Sequence, residues 1–177
     1  MSRSRDIADS TTTLDVDGGT IKLDGNYPVG SQNVALGDAA LSNASTGANN
    51  TAVGTQSLLS NTGSNNVGLG TNTLYYNTGS QNTALGTSAL LFNTTASYGT
   101  AVGFQAAYSN TSGADNTAMG GNSLYTNTTG NYNLASGYAS LRLNTTGSAN
   151  VGLGYEALKA NTTASSNTAV GYQSLYT

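Results

Sequence analysis

The side chains in this sequence able to do chemistry are a few carboxylates, eleven tyrosines and a recurring asparagine. From residue 30 onward only Asp38, Asp115 and Glu156 are acidic. Cleavage of a glycosidic bond needs two carboxyl groups within about 5–10 Å of each other. Asp115 and Glu156 lie 41 residues apart and fall in different phases of the repeat described below, so one chain is not expected to pair them. Asp15-x-Asp17-Gly18 has the opening of a calcium loop but lacks its further oxygen ligands and terminal Glu. The chain has no His and no Cys, which removes imidazole and thiolate nucleophiles and the usual zinc and haem sites. Gly68-Leu69-Gly70 and Gly152-Leu153-Gly154 precede no helical pattern and do not read as phosphate loops. No catalytic residue, cofactor or metal is expected, and the reading is of a protein that is not an enzyme.

The tyrosines are better placed for binding. Tyr75, Tyr108, Tyr125 and Tyr176 share one phase of the repeat, and Tyr138, Tyr155 and Tyr172 share another. With Gln105, Asn122 and Gln173 nearby in sequence, such rings suit glycan contacts through stacking and hydrogen bonding. They suit a subunit interface better still, where Tyr is enriched.

What must position these residues is a repeat. Glycine recurs at Gly37, Gly54, Gly70, Gly86, Gly103, Gly120, Gly137, Gly154 and Gly171, always 16 or 17 residues from the last. A period this short over nine copies means a solenoid with one coil per repeat, since helical repeats need about 30 residues or more. With each of these glycines as position 0, a small residue sits at −2 and, in eight of nine copies, a large apolar residue at −1. Leucine sits at +4 in eight of nine copies. Asn recurs at −4 and, in most copies, at +7.

This alternation predicts two short strands per coil, one ending just before the glycine and one centred on the leucine. The expected core is then Val53, Leu69, Leu85, Val102, Met119, Leu153 and Val170 together with Leu58, Leu74, Leu90, Leu124, Leu141, Leu158 and Leu175. At Asn133–Gly137 a Ser136 takes the large apolar place, and Leu134 two residues earlier supplies the apolar group on the same strand face. The glycines, Gly54 to Gly171 in register, suit corners with positive φ or close coil-to-coil approach. Stacked Asn side chains form hydrogen-bonded ladders. Asn-Thr-Gly and Asn-Thr-Thr-Gly runs read as turns, which also accounts for the sequons at Asn93, Asn127, Asn144 and Asn161.

Asn, Thr, Ser and Gly fill 93 of the 177 positions, and charged residues only 7%. The stack explains this, because any charge in the repeat would meet its own copy about 4.8 Å above and below. Five basic residues leave no footprint for nucleic acid. No apolar run approaches the roughly 20 residues of a membrane span, and the opening Met1–Ser10 is not a secretory signal.

Two segments follow. Residues 1–29 hold five of the eight acidic groups and read as a hairpin around Asp17-Gly18-Gly19, a capping or attachment segment. Residues 30–177 are the β-roll. Two large apolar groups per coil, at roughly 1.5–3 kcal/mol each, do little against about 1–2 kcal/mol of backbone entropy per residue. The small residues at −2 suggest close approach of another body on that face. A homo-oligomer of rolls packed side by side is expected.

Asn50–Gly54 and Asn167–Gly171, with Asn82–Gly86 and Asn116–Gly120 close to them, resemble the head repeats of YadA-like trimeric autotransporter adhesins. Asn167–Tyr176, and the opening Met1–Asp9, are similar to tail-fibre proteins of bacteriophages. The resemblance covers about Tyr27–Thr177. It implies a left-handed parallel β-roll, three chains to a trimer, serving as a structural and adhesive fibre on a virion. Residues 1–29 would attach it to a virion component, and host-surface glycans would be its outer partner. The secretion signal and membrane barrel of an autotransporter are not in the sequence. A bacterial surface adhesin head is the alternative. A second alternative is an ice-binding solenoid built on Thr51, Thr83, Thr100, Thr117 and Thr168; their alternation with Val in one slot suits an inward or interface position better.

Overall fold

In a computed structural model the chain is described over residues 32–43 and 46–176. The expected hairpin and attachment segment at 1–29 lies outside the described residues. The fold is all β, a parallel solenoid with one three-residue strand per coil. The strands are β1 (Val34–Leu36), β2 (Thr51–Val53), β3 (Val67–Leu69), β4 (Thr83–Leu85), β5 (Thr100–Val102), β6 (Thr117–Met119), β7 (Leu134–Ser136), β8 (Val151–Leu153) and β9 (Thr168–Val170). They form one sheet in sequence order, and every pair is parallel and in register with the repeat, as Thr83 on Thr100 and Leu85 on Val102 show. No helix among the described residues is long and apolar enough to cross a membrane.

The inward residue of each of β2 to β9 is the middle one: Ala52, Gly68, Ala84, Ala101, Ala118, Ala135, Gly152 or Ala169, all buried; Ala35 of β1, at the end of the stack, is half-buried. Neighbours at i±1 therefore face outward. This corrects the expected core. Leu69, Leu85, Met119 and Val170 are exposed, and Val53, Val102 and Leu153 are only half-buried. The reason is the thinness of the coil. A Cβ on Gly68 would already come within 2.6 Å of Ser57 Oγ, 2.7 Å of Thr73 Oγ1 and 3.4 Å of Leu58 Cδ1 on the opposite wall. At Gly68 even Ala is too large, and the matching place in the other coils holds nothing larger than Ala, so the small residues mark the inside of one roll, not the approach of a second body.

The opposite wall is the leucine column. Leu41, Leu58, Leu74, Leu90, Leu124, Leu141 and Leu158 are buried and stack in line, while Leu175, with no described coil above it, is 55% exposed. The second strand expected around them is not formed. The run after each corner glycine is a turn in which alternate residues have positive φ, for example Gly54 (125°), Gln56 (56°) and Leu58 (52°). A left-handed leucine costs roughly 1–2 kcal/mol. Its burial returns about 1.5–3 kcal/mol, and its N–H donates to the next coil, as Leu58 does to the Thr73 carbonyl at 2.8 Å. In this turn two consecutive residues are buried together, Ser57 with Leu58, Ala89 with Leu90 and Ser140 with Leu141, which a pleated strand would not do.

Two Asn ladders close the third side. At +7 each Nδ2 donates to the Oδ1 one coil before: Asn77 to Asn61 (2.6 Å), Asn93 to Asn77 (2.6 Å), and on through Asn110, Asn127, Asn144 and Asn161. At −4 each Oδ1 accepts the backbone N–H one coil on, as Asn50 does from Asn66 at 2.8 Å. Where Gly99 interrupts this ladder, its N–H still reaches Asn82 Oδ1 at 2.8 Å. Coils differing in length differ only beside this ladder. Asn61 and Asn77 bond the carbonyl two residues on, whereas Asn93 and Asn144 bond the one three residues on.

Corner glycines from Gly37 to Gly154 are obligatory for two reasons at once. Gly86 has φ 120°, and a Cβ there would lie 2.7 Å from the Gly103 carbonyl oxygen.

Candidate binding surfaces

Because the strands turn their larger residues outward, the sheet presents two uncharged files to its surroundings, the first of Thr with Val and Leu and the second largely apolar. One runs through Val34, Thr51, Val67, Thr83, Thr100, Thr117, Leu134, Val151 and Thr168. The other runs through Leu36, Val53, Leu69, Leu85, Val102, Met119, Ser136, Leu153 and Val170. No charged residue interrupts either. At β7 the large group moves from the second file to the first, so Leu134 and Ser136 exchange roles on one face as expected, but that face is the outer one. The Thr ladder also faces outward, which removes the inward one of the two positions expected of it and leaves the interface one: Thr83 and Thr168 are exposed, and Thr51, Thr100 and Thr117 half-buried.

Two aromatic columns run along the coils. The first steps between positions +6 and +5. Tyr76 stacks on Phe92 at 5.7 Å, Phe92 meets Tyr108 edge-on at 5.1 Å, and Tyr108 stacks on Tyr125 at 5.0 Å. Tyr75 packs edge-on against Tyr76 at 4.5 Å, and the Arg142 guanidinium lies 5.6 Å from the Tyr125 ring centre. The step leaves a shallow groove of about 630 Å³ lined by Tyr76, Phe92, Thr94, Ser109, Thr111 and Thr128. Its threonines turn their hydroxyls to the backbone, Thr94 Oγ1 donating to the Thr111 carbonyl at 2.8 Å and Thr111 Oγ1 to that of Thr128 at 2.9 Å. Tyr76 and Phe92 were not singled out from sequence; their 16-residue separation, one full coil, is the signal that finds them.

The second column is at +1. Tyr138 stacks on Tyr155 at 5.5 Å and Tyr155 on Tyr172 at 5.3 Å. All three are exposed, at 50%, 44% and 72%. Phe104 stands in this column too and is 56% exposed, while Ala107, in the one copy without leucine at +4, is buried in the leucine slot.

Charge gathers at one end. Glu156 is held by Lys159 Nζ at 2.5 Å and by Gln173 Nε2 at 2.9 Å, and Lys159 Nζ lies 3.4 Å from Tyr176 Oη. These bonds, that to Lys159 first, hold the Glu156 carboxyl below the usual carboxylate range and push the Lys159 ammonium up. The Glu156 charge in turn raises the Tyr155 phenol. Asp38, Asp115 and Glu156 occupy positions +1, −5 and +2 in different coils, so no carboxylate pair forms within the described chain. Among the described residues no group of three His, Cys, Asp or Glu could hold a metal ion.

No family model, curated protein or solved structure matches the chain.

Proposed function

We propose that this chain is a structural and adhesive fibre or spike segment of a bacteriophage virion, a rigid spacer of three parallel rolls. In this reading residues 1–29 attach it to the particle and the outward aromatic columns meet host glycans. The observation that carries the proposal is the uncharged double file on the outer sheet face, with Leu69, Leu85, Met119 and Val170 left 41–67% exposed on a single chain. Contiguous apolar surface of this kind marks an association site. Because the files repeat coil by coil, a parallel copy of the same chain meets like with like along the whole length. Packing there removes apolar area from water at roughly 25 cal/mol per Å².

The test is the solution mass of the full chain by sedimentation equilibrium. A trimer supports the reading, and a stable folded monomer at micromolar concentration overturns it. The double variant Leu69→Ser/Leu85→Ser is expected to keep the β signature and lose assembly.

The outward Thr file favours a second reading, ice binding. Five of nine strands present Thr on that face. Thermal hysteresis and faceted ice growth from purified chain would establish it. Their absence together with a trimer leaves the fibre reading.

A further inference from the structure

The +1 column changes character along the roll. In the first four coils it is polar and exposed: Asp38, Thr55, Thr71 and Thr87. Then come Phe104, Gly121, Tyr138, Tyr155 and Tyr172. Backbone bonds hold these positions directly above one another, with Asn122 N–H to the Phe104 carbonyl and Ala139 N–H to that of Gly121, each at 2.9 Å. Four aromatic rings thus share a column with one place vacant.

Nothing in the fold demands glycine at that place. Gly121 does not adopt positive φ, and a Cβ there would meet only Tyr138 Cδ2 at 3.5 Å, Tyr138 Cε2 at 3.7 Å and the Phe104 carbonyl oxygen at 3.9 Å, all ordinary contacts. Every other described glycine has a positive φ of 120° or more, or would bring its Cβ to 3.0 Å or less from a neighbour. Ring stacking runs from Tyr172 down to Tyr138 and stops there. Phe104, two coils below, stays 56% exposed. Two coil rises amount to about 9.6 Å, enough for one ring between two others.

The side chains next to the vacancy are amides. Gln105 and Asn122, at +2 in the same two coils, are half-buried, and their side chains have no hydrogen-bond partner within the described chain. Each amide directly follows the +1 place of its own coil, Gln105 after Phe104 and Asn122 after Gly121. In coil 9 the same position uses its amide, Gln173 Nε2 binding Glu156. Neither Phe104, Gly121, Tyr138, Gln105 nor Asn122 is charged.

We infer that the vacancy at Gly121 is a subsite for one pyranose ring of a neutral saccharide, stacked between Phe104 and Tyr138 and hydrogen-bonded by Gln105 and Asn122. The C–H faces of the sugar replace the missing aromatic neighbour, and its hydroxyls meet amides that both donate and accept. This deepens the adhesive half of the function proposed above.

The experiment is saturation-transfer NMR on the full chain with methyl glycosides of glucose, galactose, mannose and N-acetylglucosamine, and with methyl glucuronide as charged comparator. Transfer from the protein rings to the C–H protons of at least one neutral glycoside is expected. Gly121→Tyr completes the column, keeps the fold and lowers that transfer at least about fivefold, the scale of one lost ring contact. Phe104→Ala, which removes an exposed wall, does the same, whereas Tyr98→Ala, which removes an exposed ring outside both aromatic columns, leaves the signal in place. Transfer to no glycoside, a preference for the glucuronide, or an unchanged signal in both Gly121→Tyr and Phe104→Ala overturns the subsite. Solution mass, read on the same samples, keeps the two proposals apart. A trimer that binds no glycoside loses only the subsite, and a monomer that binds one loses only the fibre.

Discussion

Asn93 Nδ2 donates to Asn77 Oδ1 at 2.6 Å and to the Ala96 carbonyl at 3.0 Å, and Asn93 Oδ1 accepts from Asn110. One fully buried amide therefore ties together three successive coils and its own turn.

Asn93→Ala is expected to lower stability by about 3 kcal/mol, because the neighbours it leaves are buried and each unmade bond costs about 1–3 kcal/mol. Asn93→Asp should do worse, since a carboxylate donates nothing to Asn77 and must be buried. Urea denaturation followed by circular dichroism measures both. Equal midpoints for Asn93→Ala and the parent chain would remove the ladder from the account.

Gly86→Ala and Gly121→Ala make a matched pair. The first puts a methyl group 2.7 Å from the Gly103 carbonyl oxygen at a φ of 120°, a backbone region nearly closed to other residues. The second puts it in ordinary contact. The expected outcome is loss of cooperative melting for Gly86→Ala and a change within about 0.5 kcal/mol for Gly121→Ala.

Leu90 and Leu85 separate inside from outside. Leu90→Ala empties a buried place in the leucine column and should cost about 2–4 kcal/mol at any protein concentration. Leu85→Ala changes an outward residue that is 41% exposed on one chain. Its cost should show only where chains associate, as a melting midpoint that becomes more dependent on concentration.

The Glu156–Lys159 pair gives a pH signature with a definite sign. The Glu156 pKa is depressed in the folded chain, so its contribution is complete above the ordinary carboxylate pKa of about 4.3 and is lost as pH falls through the lower folded value. Lys159 and Tyr155 are shifted upward, so their contributions are present below their ordinary values of about 10 and are lost as pH rises through the folded ones. Subtracting the melting curve of Glu156→Gln from that of the parent chain should leave a plateau between roughly pH 5 and pH 9 that falls on both sides. A difference that is flat across the acid limb would contradict the assignment.

The sequence makes the coil, its period and its vertical register legible, because stacking forces each position to tolerate its own copy. Leu58, Leu74 and Leu90 do line up in one buried column. What misleads is the size of the residues flanking each corner. Val53 or Leu85 looks like core and Ala52 or Ala84 like filler, yet the roll is too thin to take anything larger than Ala at the middle strand position. Composition alone does not report the width of a cavity. Nor does it report handedness: no letter of the sequence separates a leucine with φ near 50° from a leucine in a strand. Among the binding candidates, the Tyr138–Tyr155–Tyr172 column was visible as equal spacing. The Gly121 vacancy was not, because a glycine among 23 carries no mark of being unnecessary.

The single residue by which the 16- and 17-residue coils differ is absorbed entirely between the ladder asparagine and the carbonyl it grips. Everything else in a coil repeats at the same height as in its neighbours. Length can therefore grow or shrink only in whole notches: duplicating a repeat lengthens the molecule by about 4.8 Å and leaves every seam intact. A molecule so graduated works as a ruler, and its reach is written in the genome as a count.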